Sequence, residues 1–361
     1  MRPASAPTRT LTRPLAIAAA LALAALLAPH AAAQTPPGWW RALYRGTASA
    51  GAAGSQTVVL DLTLQGDEAT GRLLLPALRA VLDASGTTGQ DGAVTLSLTA
   101  PRERGQGPAP AATGSLEGRR SLAPNDDGSR FTGQLRLGNG VAATVTLRRI
   151  AQYVRVDVHD GNIHAQADFP HFLAPDLAPL RPELAPPAQA DIASFVGEGR
   201  SARAANALFH AYELIADTEL EGMAGAYVSL KSTRYRYTGG AHGIDDIETA
   251  TWWLEPSGPR KLSLAELFAP GAPYVTRLSP LVLARLKEQD ATWVVQGQVT
   301  RLSAQDLALY ALTPAGIAFA FPPYAMGPYA QGTFTVVVPY TRVLDMAASQ
   351  GALQAFAQAG R

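Results

Sequence analysis

The feature that most limits what this chain can become is a repeated alternation of apolar and polar residues, in short runs separated by glycine-containing turns, across residues 41–150. Val58-Val-Leu-Asp-Leu-Thr-Leu64, Ala93-Val-Thr-Leu-Ser-Leu-Thr99, Phe131-Thr-Gly-Gln-Leu-Arg-Leu137 and Val141-Ala-Ala-Thr-Val-Thr-Leu147 follow the two-residue period of a strand, not the 3.6-residue period of a helix. Between them, Gly66-Asp67, Asp91-Gly92, Asp126-Asp127-Gly128 and Gly138-Asn139-Gly140 supply the positive φ values that tight turns need. Short strands at this spacing predict an antiparallel sheet closed into a small barrel or meander. Leu73 to Leu82 fits a strand before Pro76 or a helical turn after it, and Arg102 to Ala112, with its Gly and Pro, reads as a surface loop.

Ala151 marks the expected boundary. Tyr153 to Val158 alternates again, and the prolines at 170, 175, 179, 182, 186 and 187 then predict an extended crossing segment. Ala188 to Ala205 reads as a helix. Leu208 to Glu221 and Ala226 to Tyr237 read as long strands with Gly222 and Gly225 in the turn between them, and Thr249 to Leu254 as a third. Ser263-Leu-Ala-Glu266 has capping-box spacing. Tyr274 to Gln289 carries apolar residues at helical spacing, and Ile317 to Phe321 pairs with Thr333 to Tyr340 as strands. The expected fold class is α+β: an antiparallel β-barrel-like domain over 38–150, an α+β domain with an antiparallel sheet and two or three helices over 151–346, and a tail at 347–361.

Arg2, Arg9 and Arg13, the apolar run Leu15 to Leu27 and Ala31-Ala-Ala33 read as a secretory signal peptide over 1–33, with an uncleaved anchor as the alternative. The run is short of the roughly 20 residues of a spanning helix. No later stretch reaches that length, so a periplasmic or extracellular mature chain without a transmembrane segment is expected. Without the three arginines, 27 basic residues face 29 acidic ones, a balance that offers no field for nucleic acid. The absence of cysteine excludes disulfides, a thiol nucleophile and thiolate metal sites.

Two glycine-rich aromatic signatures stand out in the last third: Tyr237-Thr-Gly-Gly-Ala-His-Gly243 and Pro322-Pro-Tyr-Ala-Met-Gly-Pro-Tyr-Ala-Gln-Gly332. With Leu262-Ser-Leu-Ala-Glu-Leu-Phe268, Gly316-Ile-Ala-Phe-Ala-Phe321 and Val338-Pro-Tyr340 in the same order, they resemble the RsiV-like C-terminal domain, over about Tyr153 to Met346. That is a domain of unknown function, shared by a lysozyme-binding anti-sigma factor and PdaC-type deacetylases. The resemblance implies an exported α+β domain with a partner-binding role. No sigma-binding segment or deacetylase module is recognised in the sequence, so neither an anti-sigma factor nor a deacetylase is expected.

His242, with Asp245 and Asp246 close by, is the candidate catalytic group, as a base or a metal ligand, but the spacing matches no zincin or hydrolase template and also fits a hydrogen-bonded histidine beside a glycine turn. His159, His164 and His171 lie among Asp157, Asp160 and Asp168; convergence of three ligands would need a turn at Gly161-Asn162, and the reading takes them as surface histidines and expects no metal and no cofactor. Neither a Gly-x-Ser-x-Gly elbow nor a usable Ser-x-x-Lys pair is present. Tyr324 and Tyr329, framed by prolines, either plug the core or form a stiff recognition surface. The pairs Trp39-Trp40 and Trp252-Trp253 place adjacent rings on opposite strand faces, and an exposed one would suit a sugar ring. The expected function is non-catalytic binding in the cell envelope, of a protein such as lysozyme or of cell-wall glycan, through Tyr237, Gly239, Gly240, His242, Tyr324, Pro328 and Tyr329. The alternatives are an envelope hydrolase or metal-dependent enzyme using His242, and a structural envelope component.

Overall fold

The computed structural model describes residues 38–50, 54–101, 111–122, 129–138, 140, 142–206 and 210–359. The signal-peptide reading, most of the 102–112 loop and the turn at 126–128 lie outside them. Eight strands follow one another, each antiparallel to the next: β1 (Trp39–Ser49), β2 (Ser55–Gln65), β3 (Glu68–Leu75), β4 (Ala80–Thr88), β5 (Ala93–Thr99), β6 (Gly114–Arg120), β7 (Arg130–Leu137) and β8 (Ala142–Asp160). β1 also pairs with β8, which closes the barrel and removes its free edges. Alternate residues such as Tyr44, Leu60, Leu62, Leu73, Leu96 and Phe131 fill the interior with no exposed surface. The ambiguous stretch after Leu73 ends β3, makes a single 3-10 turn at Pro76–Leu78 and restarts as β4 after Arg79, which turns the chain in the left-handed region.

Tight closure brings strand backbones together at glycine. A Cβ on Gly86 would lie 1.9 Å from the Thr95 carbonyl oxygen, and one on Gly71 1.9 Å from that of Asp61. Backbone cannot swing aside as a side chain can. Gly86→Val is therefore expected to lower stability by about 3 kcal/mol, at the upper end of overpacking costs. Gly197, helical and with open space around its Cβ position, gives the contrast: Gly197→Ala should raise stability by about 0.5–1 kcal/mol. Urea denaturation of both variants checks the pair.

The 19-residue β8 passes through Ala151 without a break, its first part pairing in the barrel and its second, from Ala151, with β9 (Ile163–Phe172). A crossover helix, α1 (Arg181–Ala204), makes β10 (Tyr212–Ala224) run parallel to β9; β11 (Tyr227–Tyr237), β12 (Ile244–Glu255) and β13 (Gly258–Leu262) continue antiparallel. The proline-rich segment is thus a correction, since its second half is helical. Pro182 occupies the first turn, where its missing N–H has no intrahelical partner to lose, and Pro186 and Pro187 forgo bonds to the carbonyls four residues back. Burial of Ile192, Phe195 and Val196 against Ile163, Ala165 and Ala167 holds the helix regardless. Gly222 also differs from expectation: it lies inside β10 beside a register shift, where a Cβ would meet the Leu312 carbonyl oxygen at 2.5 Å.

A second sheet of β14 (Tyr310–Thr313), β15 (Gly316–Phe321) and β16 (Phe334–Val338) packs with α2 (Tyr274–Glu288), α3 (Thr292–Val295) and α4 (Ala352–Gln358). Leu278, Val282 and Leu286 of α2 are fully buried, as the helical spacing requires. The capping box forms: the Ser263 amide and hydroxyl donate to Glu266 at 2.8 and 2.7 Å. Ser229 donates or accepts at Thr251 and accepts from the Leu312 amide at 2.8 Å, which ties the small sheet to the large one. The segment read as a tail is packed, with Leu353 and Phe356 of α4 in the core. Among the described residues no helix is long and apolar enough to cross a membrane.

Candidate functional site

The two signatures, some 80 residues apart in sequence, meet in space. In the β11–β12 connection Gly239 and Gly240 sit at φ +103° and +97°, values that a side chain would strain. The Tyr237 hydroxyl donates to the Gly240 carbonyl at 3.1 Å and closes that turn. Gly243 lets the Tyr235 ring lie against the backbone, where a Cβ would approach it to 2.4 Å. In the second loop the Tyr329 hydroxyl donates to the Gly243 carbonyl at 2.7 Å, and its ring stacks on His242 with centroids 3.7 Å apart and planes 17° from parallel. The Tyr324 ring lies 5.7 Å from that of Tyr329 and is 52% exposed. Pro328 precedes the single 3-10 turn that carries Tyr329.

This arrangement fixes what each group can do. Because a carbonyl only accepts, the 2.9 Å contact of His242 Nδ1 with Gly243 O puts a proton on Nδ1 and leaves Nε2 the acceptor of the neutral ring. The Tyr329 hydroxyl is held above its usual pKa by desolvation and then by the nearby Asp245, Tyr235 and Tyr324. Asp245 and Asp246 are consecutive residues of β12, opposite Tyr235 and Arg234, so they face opposite sides of the sheet. His242 hydrogen-bonds to neither. The structure therefore brings His242, Tyr324, Tyr329, Pro328 and Tyr237 with its glycines to one surface, and among the described residues no carboxylate pair flanks the imidazole.

Comparison with protein families matches residues 265–341 to DUF3298, a protein family of unknown function. The chain carries a DUF3298 domain. This bears out the resemblance drawn from the sequence, over a shorter span. No curated protein matches the chain. Two solved structures are similar: a DUF3298 family protein from Pseudomonas aeruginosa PAO1, 15% identical, covering 55% of this chain and 94% of its own with a TM-score of 0.40, and a DUF3298 family member from Bacteroides fragilis NCTC 9343, 17% identical, covering 57% and 95% with a TM-score of 0.37. The Pro322–Gly332 loop lies inside the DUF3298 match; the His242 loop it touches lies before it.

Sequence reasoning missed a buried charge network outside the DUF3298 domain. Arg41, on the outer face of the barrel, donates to Asp61 at 2.9 and 2.7 Å and to Asp217 of β10 at 2.8 and 3.0 Å, with its guanidinium 3.9 Å from the Tyr153 ring centre. Arg72 and Lys231 converge on Glu221 at 3.2 and 3.1 Å and on Glu219 at 3.6 and 3.2 Å. Three cations thus face four carboxylates. Arg41, Arg72, Asp61, Asp217 and Glu219 of this network line a cavity of about 370 Å³ together with Trp39 and the Arg155–Asp168 pair. Burial pushes Asp217 up to about 6 against the opposing Arg41, and Glu219 and Asp168 add to the rise. A lone Asp61 in the apolar run of β2 was the available signal; its partner Arg41 lies 20 residues away, but Asp217, which completes the bridge, lies 176 residues from Arg41, where no local pattern points to it.

A second cavity, of about 270 Å³, opens between α1 and the sheet, lined among others by Ile192, Leu214, Thr218, Ser232, Trp252 and Lys261. The Trp252 indole Nε1–H is buried with no acceptor among the described residues. Three of the other four tryptophans carry arginines: Arg155 lies 4.0 Å over Trp39, Arg120 4.4 Å over Trp40 and Arg260 5.2 Å over Trp253. Of the clustered histidines, His159 and His164 are direct partners across the β8–β9 turn, whereas His171 pairs with Gln152 at the other end of β9, its pKa lowered by burial and by Arg181.

Proposed function

We propose that this chain is an exported, non-catalytic binding protein of the cell envelope, which holds a protein partner such as lysozyme on the aromatic surface formed by its two glycine-rich loops. The observation that carries the reading is Tyr324. Its ring is half exposed while its backbone sits at φ +68°, a left-handed conformation that costs a non-glycine residue about 1 kcal/mol or more. Strain kept at an exposed ring, where core packing does not call for it, fits a side chain positioned for contact. Ile244, 54% exposed, and Pro328 extend the apolar surface, and the Tyr329–His242 stack stiffens it. Rigid tyrosines give large contact area for little lost rotamer freedom. Export rests on the signal-peptide reading of residues 1–33.

A second reading, recognition of cell-wall glycan in the groove beside α1, is supported by the unpaired Trp252 indole N–H among hydroxyl and charged side chains. One experiment separates the two. Purified chain is tested for capture by immobilised lysozyme and by insoluble peptidoglycan. On the first reading, lysozyme captures it and Tyr324→Ala weakens the affinity at least about tenfold with an unchanged melting temperature. On the second, peptidoglycan captures it and Trp252→Phe, which keeps the ring and removes the donor, releases it. Capture by neither ligand would remove both readings.

A further inference from the structure

We propose that Asp157, His159 and His164 form a site for one divalent transition-metal ion of the zinc type, at the tip of the β8–β9 hairpin. The turn that convergence required is present: Gly161, at φ +63°, and Asn162 reverse the chain, and His159 and His164 become direct cross-strand partners. Their rings stack 4.2 Å apart at 9°. Both Nε2 atoms point at the same oxygen, Asp157 Oδ1, at 3.2 Å from His159 and 3.1 Å from His164, and the three ligand atoms lie within 4.8 Å of one another. Zinc bonds of ~2.1 Å in a tetrahedron place ligand atoms ~3.4 Å apart, close to the two carboxylate–imidazole separations. Two imidazoles and one carboxylate leave a fourth position open to water or an incoming ligand.

A second observation points the same way. Glu213 lies beside His164 in the parallel strand β10, with Oε1 3.5 Å from Nδ1. A carboxylate oxygen faces each nitrogen of His164, Asp157 at Nε2 and Glu213 at Nδ1. A cation at Nε2 with the proton on Nδ1 satisfies both, and a carboxylate behind a ligating imidazole is the usual way in which tautomer and ring orientation are set. Asp157 and His164 are partly buried while His159 is 68% exposed, so the preformed pair is held in the sheet and the third ligand closes from solvent. Sequence grouped His171 with these residues; the hairpin excludes it and admits Glu213.

The test is calorimetric titration of zinc chloride into the untagged full chain after chelator treatment, at neutral pH. One zinc per chain is expected, with affinity lowered at least about tenfold by His159→Ala or His164→Ala and about tenfold by Glu213→Gln, and unchanged by His171→Ala. Zinc should raise the melting temperature of the parent and not of His159→Ala. Should His164→Ala fail to fold, His159→Ala decides, since its ring lies mostly in solvent. No saturable binding, or binding that both histidine variants leave unaltered, overturns the site.

Discussion

Replacing Arg41 with methionine is expected to destabilise the protein by about 3–5 kcal/mol, the range for removing one partner of a buried ion pair. The loss exceeds any net worth of the pair itself. Asp61, 3% exposed, and Asp217 would remain in place without their cation, although Met keeps much of the stem that packs on Tyr153. Replacing Arg41 and Asp61 together by apolar residues should recover part of the loss, because the most buried unpaired carboxylate is then removed and only the less buried Asp217 is left without its cation. Chemical denaturation of the single and double variants measures both. A single variant within 1 kcal/mol of the parent would mean that water reaches the network and pays for the charges.

The second large effect is on acid stability. Burial alone would raise the Glu221 carboxyl, but Arg72 and then Lys231 outweigh it and hold it at about 2 against an ordinary 4.5. A carboxylate with a depressed folded-state pKa contributes stability that is fully present above the unfolded value, about 4.5, and is lost as pH falls from there to about 2. The difference amounts to about 3 kcal/mol. Glu221→Gln should therefore be less stable at neutral pH yet lose less on acidification, the surface Glu266, also held at about 2, accounting for part of what remains. Asp217 acts with the opposite sign. Its folded pKa is raised to about 6, so the stability it contributes is present at low pH and declines as pH rises from the ordinary value toward 6; Asp217→Asn should flatten that shallower limb. Melting curves across pH for the three proteins test both signs, and parallel acid limbs for parent and Glu221→Gln would refute the assignment.

Most of the fold was legible in the sequence, because strands and amphipathic helices announce themselves by period. The alternation at Val58–Leu64, Ala93–Thr99 and Phe131–Leu137 became β2, β5 and β7, and the spacing of Leu278, Val282 and Leu286 became α2. The proline-rich start of α1 was misread, since local rules weigh two lost backbone bonds and cannot weigh the apolar face that Ile192 and Phe195 bury. The site was legible in its parts and not in its assembly. Each signature marked a turn by its glycines, but nothing local says that Tyr329 reaches Gly243 or that Tyr324 stays in solvent.

What the sequence alone determined was which residues make strands, which make turns, and that cysteine chemistry has no part here. These follow from interactions within a few positions along the chain. Which charges meet was decided by the tertiary structure: Arg41 with Asp217, Glu213 behind His164, His242 on Tyr329. Those contacts depend on the closure of β1 against β8 and on the crossover of α1, and the energy that selects such long-range pairings is burial summed over whole faces, which no short stretch of sequence contains.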